Sequence, residues 1–473
     1  FFYCSDLING FFRTGLFVFQ QVLHGSVSFR MSVLNISLVL KEDKITILRC
    51  VIHLLNFFKR KILFGICITV IGSCYSTITV PINISFGSLR INVFTVLQIK
   101  SAVIMLWIVS AIFTGTTIVS CQPQRLFLHF FLSVAKENGK VWAESEGDVL
   151  KAKEGTELAT QVPSLMMGES IMDASRGDDT VKYREPLGVF AGIVPVNFPA
   201  MIPFGWMAPT CIAAGNTLVL KAASLTPKTA MLFAQLYKDA GVPDGVINVV
   251  TCSRNEINTI LEHPDVKGIT FVGSTPVGLK IYEKAAANGK RCQALCQAKN
   301  HALVMEDCAL ERTVAGVINS AFGCAGQRCM ALSCCVVQDS IADAFVAELK
   351  KQAEKVNCGP AWDKSSRLGP ITYEKHYKEV LADIDKGVAE GAPLVLDGRN
   401  TVVEGYENGY FVGPTIFDHV TADMTIGDEE VFGPVLCIKR CKDFEEGLAI
   451  MNANPYANGS VIYTQSGYYA REF

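Results

Sequence analysis

The stretch of sequence that decides the fold is VFAGIVPVNFPAMIPFGWMAPTCIAAGNTLVLK, residues 189–221. Its first part, 189–194, is a short apolar run with β-branched residues, which predicts a buried strand. A helical pattern follows over 203–214, and the Gly-Asn pair at 215–216 is typical of a helix end. The apolar run at 217–221 predicts a second strand, so the stretch forms a strand–helix–strand unit.

The same alternation continues towards the C-terminus. Further helices are predicted over 226–240, 255–263 and 275–288, and further strands over 246–250 and 269–272. Repeated units of this length indicate a parallel sheet with helices on both faces, an architecture typical of nucleotide-binding proteins. A second set of elements, including a long helix over 341–356, begins after residue 300. The sequence therefore predicts an α/β fold with a domain boundary near residue 300.

Residues 1–131 differ in composition from the rest of the chain. They contain no alanine before Ala102 and are almost free of acidic residues. Two uncharged stretches, 62–89 and 101–124, are long enough to cross a bilayer, although Pro81 weakens the first. We interpret 1–131 as non-native or mis-translated sequence, with a membrane anchor as the alternative. No signal peptide or transit peptide is visible in it.

Charge and cysteine content restrict the classes of partner. The net charge of −2 gives no electrostatic reason to expect nucleic acid or an anionic membrane surface. The seventeen cysteines are scattered, and the adjacent pair at 334–335 suits no disulfide framework, which favours a reducing compartment. The nearest candidates for a metal site, Cys292 with Cys296 and Cys324 with Cys329, lack the C-x2-C spacing of zinc ligands. No metal is predicted.

Two motifs carry groups suited to nucleophilic catalysis. FGCAGQRCM, residues 322–330, places Cys329 beside Arg328, and a neighbouring cation lowers the pKa of a thiol. A buried structural cysteine is the alternative. PVNFP, residues 195–199, follows the first predicted strand, where the amide of Asn197 suits an oxyanion. The alternative for Asn197 is a turn cap.

Two further motifs suit a dinucleotide. FVGSTPVG, residues 271–278, runs from a strand into a helix, where glycine lets a phosphate approach free N–H groups and the positive dipole end. EEVFGPV, residues 429–435, offers a carboxylate for ribose hydroxyls and an aromatic ring for a nicotinamide. Taken singly, each motif is equally typical of an ordinary turn.

In this order and at these distances, the four motifs together resemble the aldehyde dehydrogenase superfamily over residues 132–473. Other stretches resemble its CoA-acylating, methylmalonate-semialdehyde branch: PSLMMGES at 163–170, AKNH at 298–301, GQRCMA at 326–331 and NGYFVGPT at 408–415. The resemblance implies a Rossmann-type parallel-sheet NAD domain over 132–300, with an oligomerisation hairpin near 170–186. It implies a second α/β, catalytic domain over 301–473, and we expect the family fold to be incomplete at both ends.

The resemblance also implies roles for individual residues. Cys329 would be the nucleophile, and Asn197 with the Cys329 backbone N–H would hold the oxyanion. Lys221 and Glu430 would bind the adenosine ribose. The substrate carboxylate would be bound by Arg328 and Lys151. The implied NAD-binding residues are Val194, Val196, Lys221, Ser224, Gly273, Ser274, Cys296, Glu430 and Phe432.

Several positions depart from the family pattern. Leu295 replaces the glutamate that activates water in hydrolytic members, which fits CoA as the acyl acceptor and co-substrate. Ser224 replaces a carboxylate, and Gln297 replaces a glycine beside the active site. Lys151 replaces an arginine, and a lysine lacks its bidentate fork. One extra residue within 203–206 would rotate the rest of that helix by about 100°.

The family setting gives further expectations and two alternatives. The resemblance implies a homotetramer in valine and thymine catabolism, although the altered ends put oligomerisation in doubt. It implies the mitochondrial matrix in a eukaryote and the cytoplasm in a bacterium. The first alternative is an inactive remnant or incomplete gene model of the enzyme, and the second is a membrane-tethered aldehyde dehydrogenase.

Overall fold

The computed structural model of the protein describes residues 123–253, 255–456 and 458–473. The first candidate membrane span and nearly all of the second lie outside these residues, as does most of the compositionally unusual segment. Within the part of the chain that is described, no helix is both long and apolar enough to cross a membrane.

The first described helix, α1 (Pro123–Asn138), crosses the boundary predicted at residue 132. Phe130 in this helix is buried, and its ring centroid lies 4.6 Å from that of Phe233. Phe130, upstream of residue 132, therefore belongs to the folded core. The predicted boundary falls inside α1, whose aromatic residues resemble those of the preceding segment.

Five parallel strands form the first sheet in the order β5-β4-β3-β6-β7. The chain runs from the central strand to one side and then returns to the other, so the topological switch point lies at the carboxyl ends of β3 and β6. The strands are β3 (Val189–Ile193), β4 (Thr217–Lys221), β5 (Ile247–Val250), β6 (Val266–Val272) and β7 (Arg291–Leu295), and the helices between them include α5 (Pro227–Asp239), α6 (Ile257–Glu262) and α7 (Thr275–Ala287).

Six strands form the second sheet in the order β10-β11-β12-β9-β8-β13, and all its neighbours are parallel except β10 and β11. Its central strands are almost wholly apolar and buried, as expected for a sheet covered on both faces. The strands are β8 (Asn300–Val304), β9 (Leu332–Gln338), β10 (Leu394–Leu396), β11 (Thr415–Phe417), β12 (Val435–Cys441) and β13 (Ser460–Tyr463). The helices are α8 (Leu310–Phe322), α9 (Asp339–Ala353), α10 (Glu374–Ala389), α11 (Phe444–Ala453) and α12 (Gly467–Glu472).

The chain enters the first sheet through two helices, α2 (Trp142–Ala159) and α3 (Val162–Leu165), and an antiparallel hairpin of β1 (Ser170–Ser175) and β2 (Asp178–Val181). Every residue of both hairpin strands is exposed. The change from one sheet to the other falls between Leu295 and Asn300.

The helix predicted over 203–214 begins as a π-helical turn, Ile202–Met207, and continues as α4 (Ala208–Ala213). A π-helical turn holds one residue more than an α-helical turn, so it absorbs the extra residue of this segment. A Cβ atom on Gly155 of α2 would overlap the carbonyl oxygen of Gly205, so two glycines let the helices approach closely. Beyond the turn, α4 still buries one face, Ala208, Pro209, Ile212 and Ala213, so the expected rotation of about 100° does not expose it.

Candidate active site

The predicted nucleophile follows a left-handed turn at the end of α8. In the short 3-10 segment Gly323–Gly326, the residues Cys324, Ala325 and Gly326 have φ values of 52°, 52° and 71°. This conformation costs a non-glycine residue about 1–2 kcal/mol, so the surrounding structure must hold the turn in place.

The glycines of the nucleophile motif are required because larger side chains would overlap their neighbours. A Cβ atom on Gly323 would overlap the guanidinium of Arg328, and one on Gly326 would overlap the carbonyl oxygen of Gly433. The turn therefore packs against its own arginine on one side and against the segment that carries Glu430 on the other.

Gln327 holds this turn from inside the protein. Its Oε1 accepts hydrogen bonds of 3.0 Å from both the backbone N–H and the hydroxyl of Thr372, and its Nε2 donates to the Cys324 carbonyl at 3.1 Å. Its own carbonyl accepts a hydrogen bond of 3.0 Å from Asn197 Nδ2. Both Oε1 and Nε2 of Gln327 thus have hydrogen-bond partners, which favours a single conformation of the turn.

Asn197 lies beside the nucleophile turn, as the oxyanion prediction requires. Its side chain is buried, and Nδ2 uses one of its two hydrogens on the Gln327 carbonyl. The Oδ1 atom is buried without a hydrogen-bond partner, a rare state for a polar atom in a protein interior. One N–H of the amide therefore remains available beside the nucleophile turn.

The carbonyl of Cys329 is fixed by two amides. Asn300 at the start of β8 and Asn458 before β13 each donate to this oxygen through Nδ2 at 2.9 Å. Asn300 also donates to the Ala331 carbonyl at 2.7 Å. These bonds orient the peptide unit that follows the nucleophile and anchor it to the second sheet.

The charge environment of Cys329 differs from the one predicted. Burial raises the pKa of its thiol above the ordinary value, and the nearby Glu430 carboxylate adds to the shift. Nearby backbone N–H groups and the Lys140 ammonium act in the opposite direction. The cation that favours the thiolate is therefore Lys140, held by an ion pair of 3.0 Å with the buried Asp148. Arg328 was predicted for this role from its neighbouring position in the sequence.

Arg328 points instead to α2, where its guanidinium pairs with Glu144. The other carboxylate oxygen of Glu144 accepts a hydrogen bond of 2.8 Å from the Cys324 thiol. Burial opposes ionisation of Glu144, but Arg328 and the thiol hold its pKa below the ordinary value. A protein carboxylate therefore occupies the place that was predicted for the substrate carboxylate.

Lys151, the second predicted ligand of the substrate carboxylate, lies on the exposed face of α2. Its ammonium pairs with Glu154 one turn further along the helix at 2.6 Å. The structure therefore gives Lys151 and Arg328 two different carboxylate partners, Glu154 and Glu144.

The residues predicted to line the cofactor groove lie at the carboxyl edge of the first sheet. The Val194 N–H donates to the Lys221 carbonyl at 3.3 Å, and the Val196 carbonyl accepts from Asn138 Nδ2 at 2.9 Å. Lys221 ends β4 and is half-buried, and Ser224 follows it on an exposed turn. The structure therefore brings these positions to one edge.

The FVGSTPVG motif lies at the amino end of α7, as predicted. The Gly273 N–H donates to the Leu295 carbonyl at 3.0 Å, and Ser274 is the N-cap residue of the helix. Cys296 packs against Gly278, since a Cβ atom at 278 would overlap its Sγ. Leu295, at the end of β7, is partly exposed.

Glu430 and Phe432 lie next to the nucleophile segment. Burial raises the pKa of Glu430 to about 7, opposed by a hydrogen bond of 3.3 Å from the Ala298 N–H and by the Lys299 charge. Phe432 has a φ of 55°, an outlier for an aromatic residue, and its carbonyl is hydrogen-bonded to His376 Nε2 at 2.9 Å. Such strain is concentrated at functional sites.

Four residues that contact the nucleophile turn or shift the pKa of Cys329 were given no such role from the sequence: Gln327, Asn300, Lys140 and Glu144. Gln327 lies in the FGCAGQRCM motif and Asn300 in the AKNH stretch. Both stretches resemble the family, but neither residue was assigned a role. Lys140 precedes α2 and Glu144 lies in its first turn. Neither carries a local pattern, because the residues on which they act, Cys329 and Arg328, are distant in sequence. Among the residues that the structure describes, no group of three or more potential ligands is placed to hold a metal ion.

A class of enzyme is defined by these features together: the two sheets, the left-handed turn before Cys329, the Asn197 amide and the Glu430 carboxylate. Residues 129–473 match the family model described as the aldehyde dehydrogenase family. The chain belongs to this family, and its predicted α/β fold is confirmed.

The similar proteins fall in the branch that was predicted. Malonate-semialdehyde dehydrogenase 1 of Oceanobacillus iheyensis is 47% identical over 340 residues, which are 72% of this chain and 70% of that protein. Among solved structures, methylmalonate-semialdehyde dehydrogenase (DddC) from Oceanimonas doudoroffii has a TM-score of 0.75 at 38% identity, over 80% of this chain and 75% of that one. A putative methylmalonate-semialdehyde dehydrogenase from Sinorhizobium meliloti, complexed with NAD, has a TM-score of 0.75 at 35% identity, over 79% and 74% of the two chains.

Proposed function

We propose that this protein oxidises malonate or methylmalonate semialdehyde with NAD and transfers the acyl group to CoA, releasing CO2 and acetyl-CoA or propanoyl-CoA. The observation that carries the choice of acceptor is Leu295 at the carboxyl end of β7. Its hydrocarbon side chain cannot take a proton from water, and a positioned base is worth about 10²–10⁴-fold. A thiol ionises far more readily than water, so CoA needs less assistance.

In the proposed mechanism, the Cys329 thiolate attacks the aldehyde carbon and forms a hemithioacetal oxyanion. The remaining Asn197 N–H and the Cys329 backbone N–H stabilise this oxygen, and loss of one such donor costs about 2.7–4 kcal/mol. When bound, NAD accepts the hydride from the same carbon. The resulting malonyl or methylmalonyl thioester on Cys329 loses its free carboxylate as CO2, and its α-carbon takes up a proton from water. The CoA thiolate then attacks the acetyl or propanoyl thioester, which regenerates the Cys329 thiolate.

The residues present fit NAD in charge and position. Lys221 and Ser224 lie where an adenosine ribose would enter the carboxyl edge of the first sheet, and Val194 and Val196 line that edge. The pyrophosphate would lie at Gly273 and Ser274, whose hydroxyl makes no capping bond.

The nicotinamide end of the cofactor would lie against Cys296, Glu430 and Phe432. Glu430 raises the pKa of Cys329 and is therefore beside the nucleophile. We accordingly assign Glu430 to the ribose next to the nicotinamide, which revises the expectation that it shares the adenosine ribose with Lys221.

The exposed β1–β2 hairpin supports a homo-oligomer, for which the homotetramer of the family is the proposed form. Its strands and flanks expose large apolar side chains, among them Ile171, Met172 and Tyr183. Large exposed apolar side chains grouped on one hairpin favour a protein interface. The proposed setting is valine and thymine breakdown, in the mitochondrial matrix of a eukaryote or the cytoplasm of a bacterium.

The acceptor is tested by pre-steady-state kinetics. Mixing the enzyme, NAD and malonate semialdehyde without CoA should give a burst of about one NADH per active site, followed by slow turnover. Addition of CoA should restore a fast steady state with acetyl-CoA as the product. Equal turnover with and without CoA would show that water is the acceptor.

A further inference from the structure

The amino end of α7 is capped by a side chain from a different part of the chain. Gln297 Oε1 accepts a hydrogen bond of 3.2 Å from the Thr275 backbone N–H, and the Gln297 N–H donates to Thr275 Oγ1 at 3.3 Å. Ser274 occupies the N-cap position but makes no capping bond through its side chain. Gln297 therefore satisfies the helix end that Ser274 leaves open.

Apart from the Ser274 N–H, the other backbone donors at this end are engaged as well. The Gly273 N–H donates to the Leu295 carbonyl at 3.0 Å, and Pro276 has no N–H to offer. The Ser274 carbonyl accepts from Val277 at 3.1 Å and from Gly278 at 2.9 Å. The backbone N–H groups of residues 273, 275, 277 and 278 therefore already have hydrogen-bond partners. An anion that approaches this helix end must displace one of those partners to bind any of these groups.

The loop that carries Gln297 is fixed, so only its side chain can move away. β7 pairs with β6 up to Leu295, and Cys296 fills the space above Gly278. Rotation of the Gln297 side chain would free the Thr275 N–H without moving the sheet.

We propose that the Gln297 side chain competes with the pyrophosphate of NAD for the Thr275 N–H and thereby sets the affinity for the cofactor. This inference rests on the proposed placement of NAD at the carboxyl ends of β3 and β6. Pyrophosphate is favoured at a helix amino end by the dipole and by charge-assisted hydrogen bonds. The amide bond that it must displace is a neutral one, so the expected effect on the Kd for NAD is about 2- to 12-fold.

The test is the binding of NAD, measured by isothermal titration calorimetry without substrate. Gln297→Ala removes the competitor and should lower the Kd for NAD by about 2- to 12-fold. Gln297→Glu should raise the Kd, because a carboxylate binds the helix end more strongly and repels pyrophosphate. The matched control is Gln293→Ala on β7, whose exposed side chain bonds Thr270 and whose loss should leave the Kd unchanged.

Two further variants separate the inference from the cofactor placement on which it rests. If Lys221→Ala and Glu430→Gln weaken NAD binding while Gln297→Ala keeps the wild-type Kd, the competition is refuted and the placement stands. If neither Lys221→Ala nor Glu430→Gln changes the Kd, the placement fails and the inference fails with it. Weaker binding in Gln297→Ala, or tighter binding in Gln297→Glu, would also overturn the proposal.

Discussion

Glu430 is the residue whose protonation should control cofactor binding near neutral pH. Its pKa of about 7 means that the carboxylate forms as the pH rises through that value. An ionised acceptor binds ribose hydroxyls about twice as strongly as a neutral one, so NAD affinity should increase from about pH 6 to about pH 8. Calorimetric titrations across this range should show the increase, and Glu430→Gln should abolish it. An unchanged slope in the variant would assign the titration to another group.

Glu144 is the residue that should restrict access to Arg328. Because Glu144 pairs with this guanidinium, a substrate carboxylate must compete with it. Glu144→Gln should raise kcat/KM for malonate semialdehyde relative to propanal, while removing a charged hydrogen bond worth about 1.5–3 kcal/mol in stability. The control is Glu154→Gln, which removes the exposed pair with Lys151 on the same helix. If Glu144→Gln lowers kcat/KM for malonate semialdehyde relative to propanal, the substrate carboxylate binds elsewhere.

At the scale of elements, apolar runs predicted the first sheet well. The strands at 189–194, 217–221 and 246–250 were placed within a residue of β3, β4 and β5, because apolar runs are typical of strands in a parallel sheet. β6 begins three residues before the strand predicted over 269–272, and β7 was not predicted. The π-helical turn was not predictable, since its extra residue is tolerated only through the packing of Gly155 against Gly205. Contacts across distant elements leave no local pattern.

The π-helical turn gives a stability prediction with a control on the same helix. Gly155→Ala should destabilise the protein by about 1–3 kcal/mol, because its Cβ would overlap the Gly205 carbonyl. Gly147→Ala, also in α2, has nothing within 4 Å of the added Cβ. It should stabilise the helix by about 0.5–1 kcal/mol through its higher propensity. Urea denaturation measures both changes, and equal effects of the two variants would contradict the packing described.

At the scale of the whole molecule, the candidate site lies where the two sheets meet. Asn197 after β3 contacts Gln327, and Glu144 of α2 contacts Arg328, while Asn300 of β8 donates to the Cys329 carbonyl. Elements that pack with both sheets therefore hold the nucleophile turn. The motifs gave Cys329, Asn197 and Glu430 as candidate site residues, since each has a local signature. The partners of Arg328 and Cys329 could not be predicted, because they depend on which distant residues the fold brings together.

The exposed hairpin gives a prediction about assembly. Ile171→Lys should lower the molar mass of the protein in light scattering, because a charge on the exposed strand would have to be buried in the interface. Leu158→Lys makes the same type of change at an exposed position of α2 outside the hairpin and should leave the mass unchanged. The same mass for wild type and Ile171→Lys would exclude the hairpin as the interface.

The most direct test of the mechanism is to locate the acyl group by peptide mass spectrometry after reaction with NAD and malonate semialdehyde in the absence of CoA. We expect an acyl adduct on the peptide that contains Cys329, its absence in Cys329→Ala, and its release as acetyl-CoA when CoA is added. Cys324→Ala, in the same turn, should still form the adduct. An adduct on another cysteine, or one that water removes as fast as CoA does, would contradict the proposed reaction.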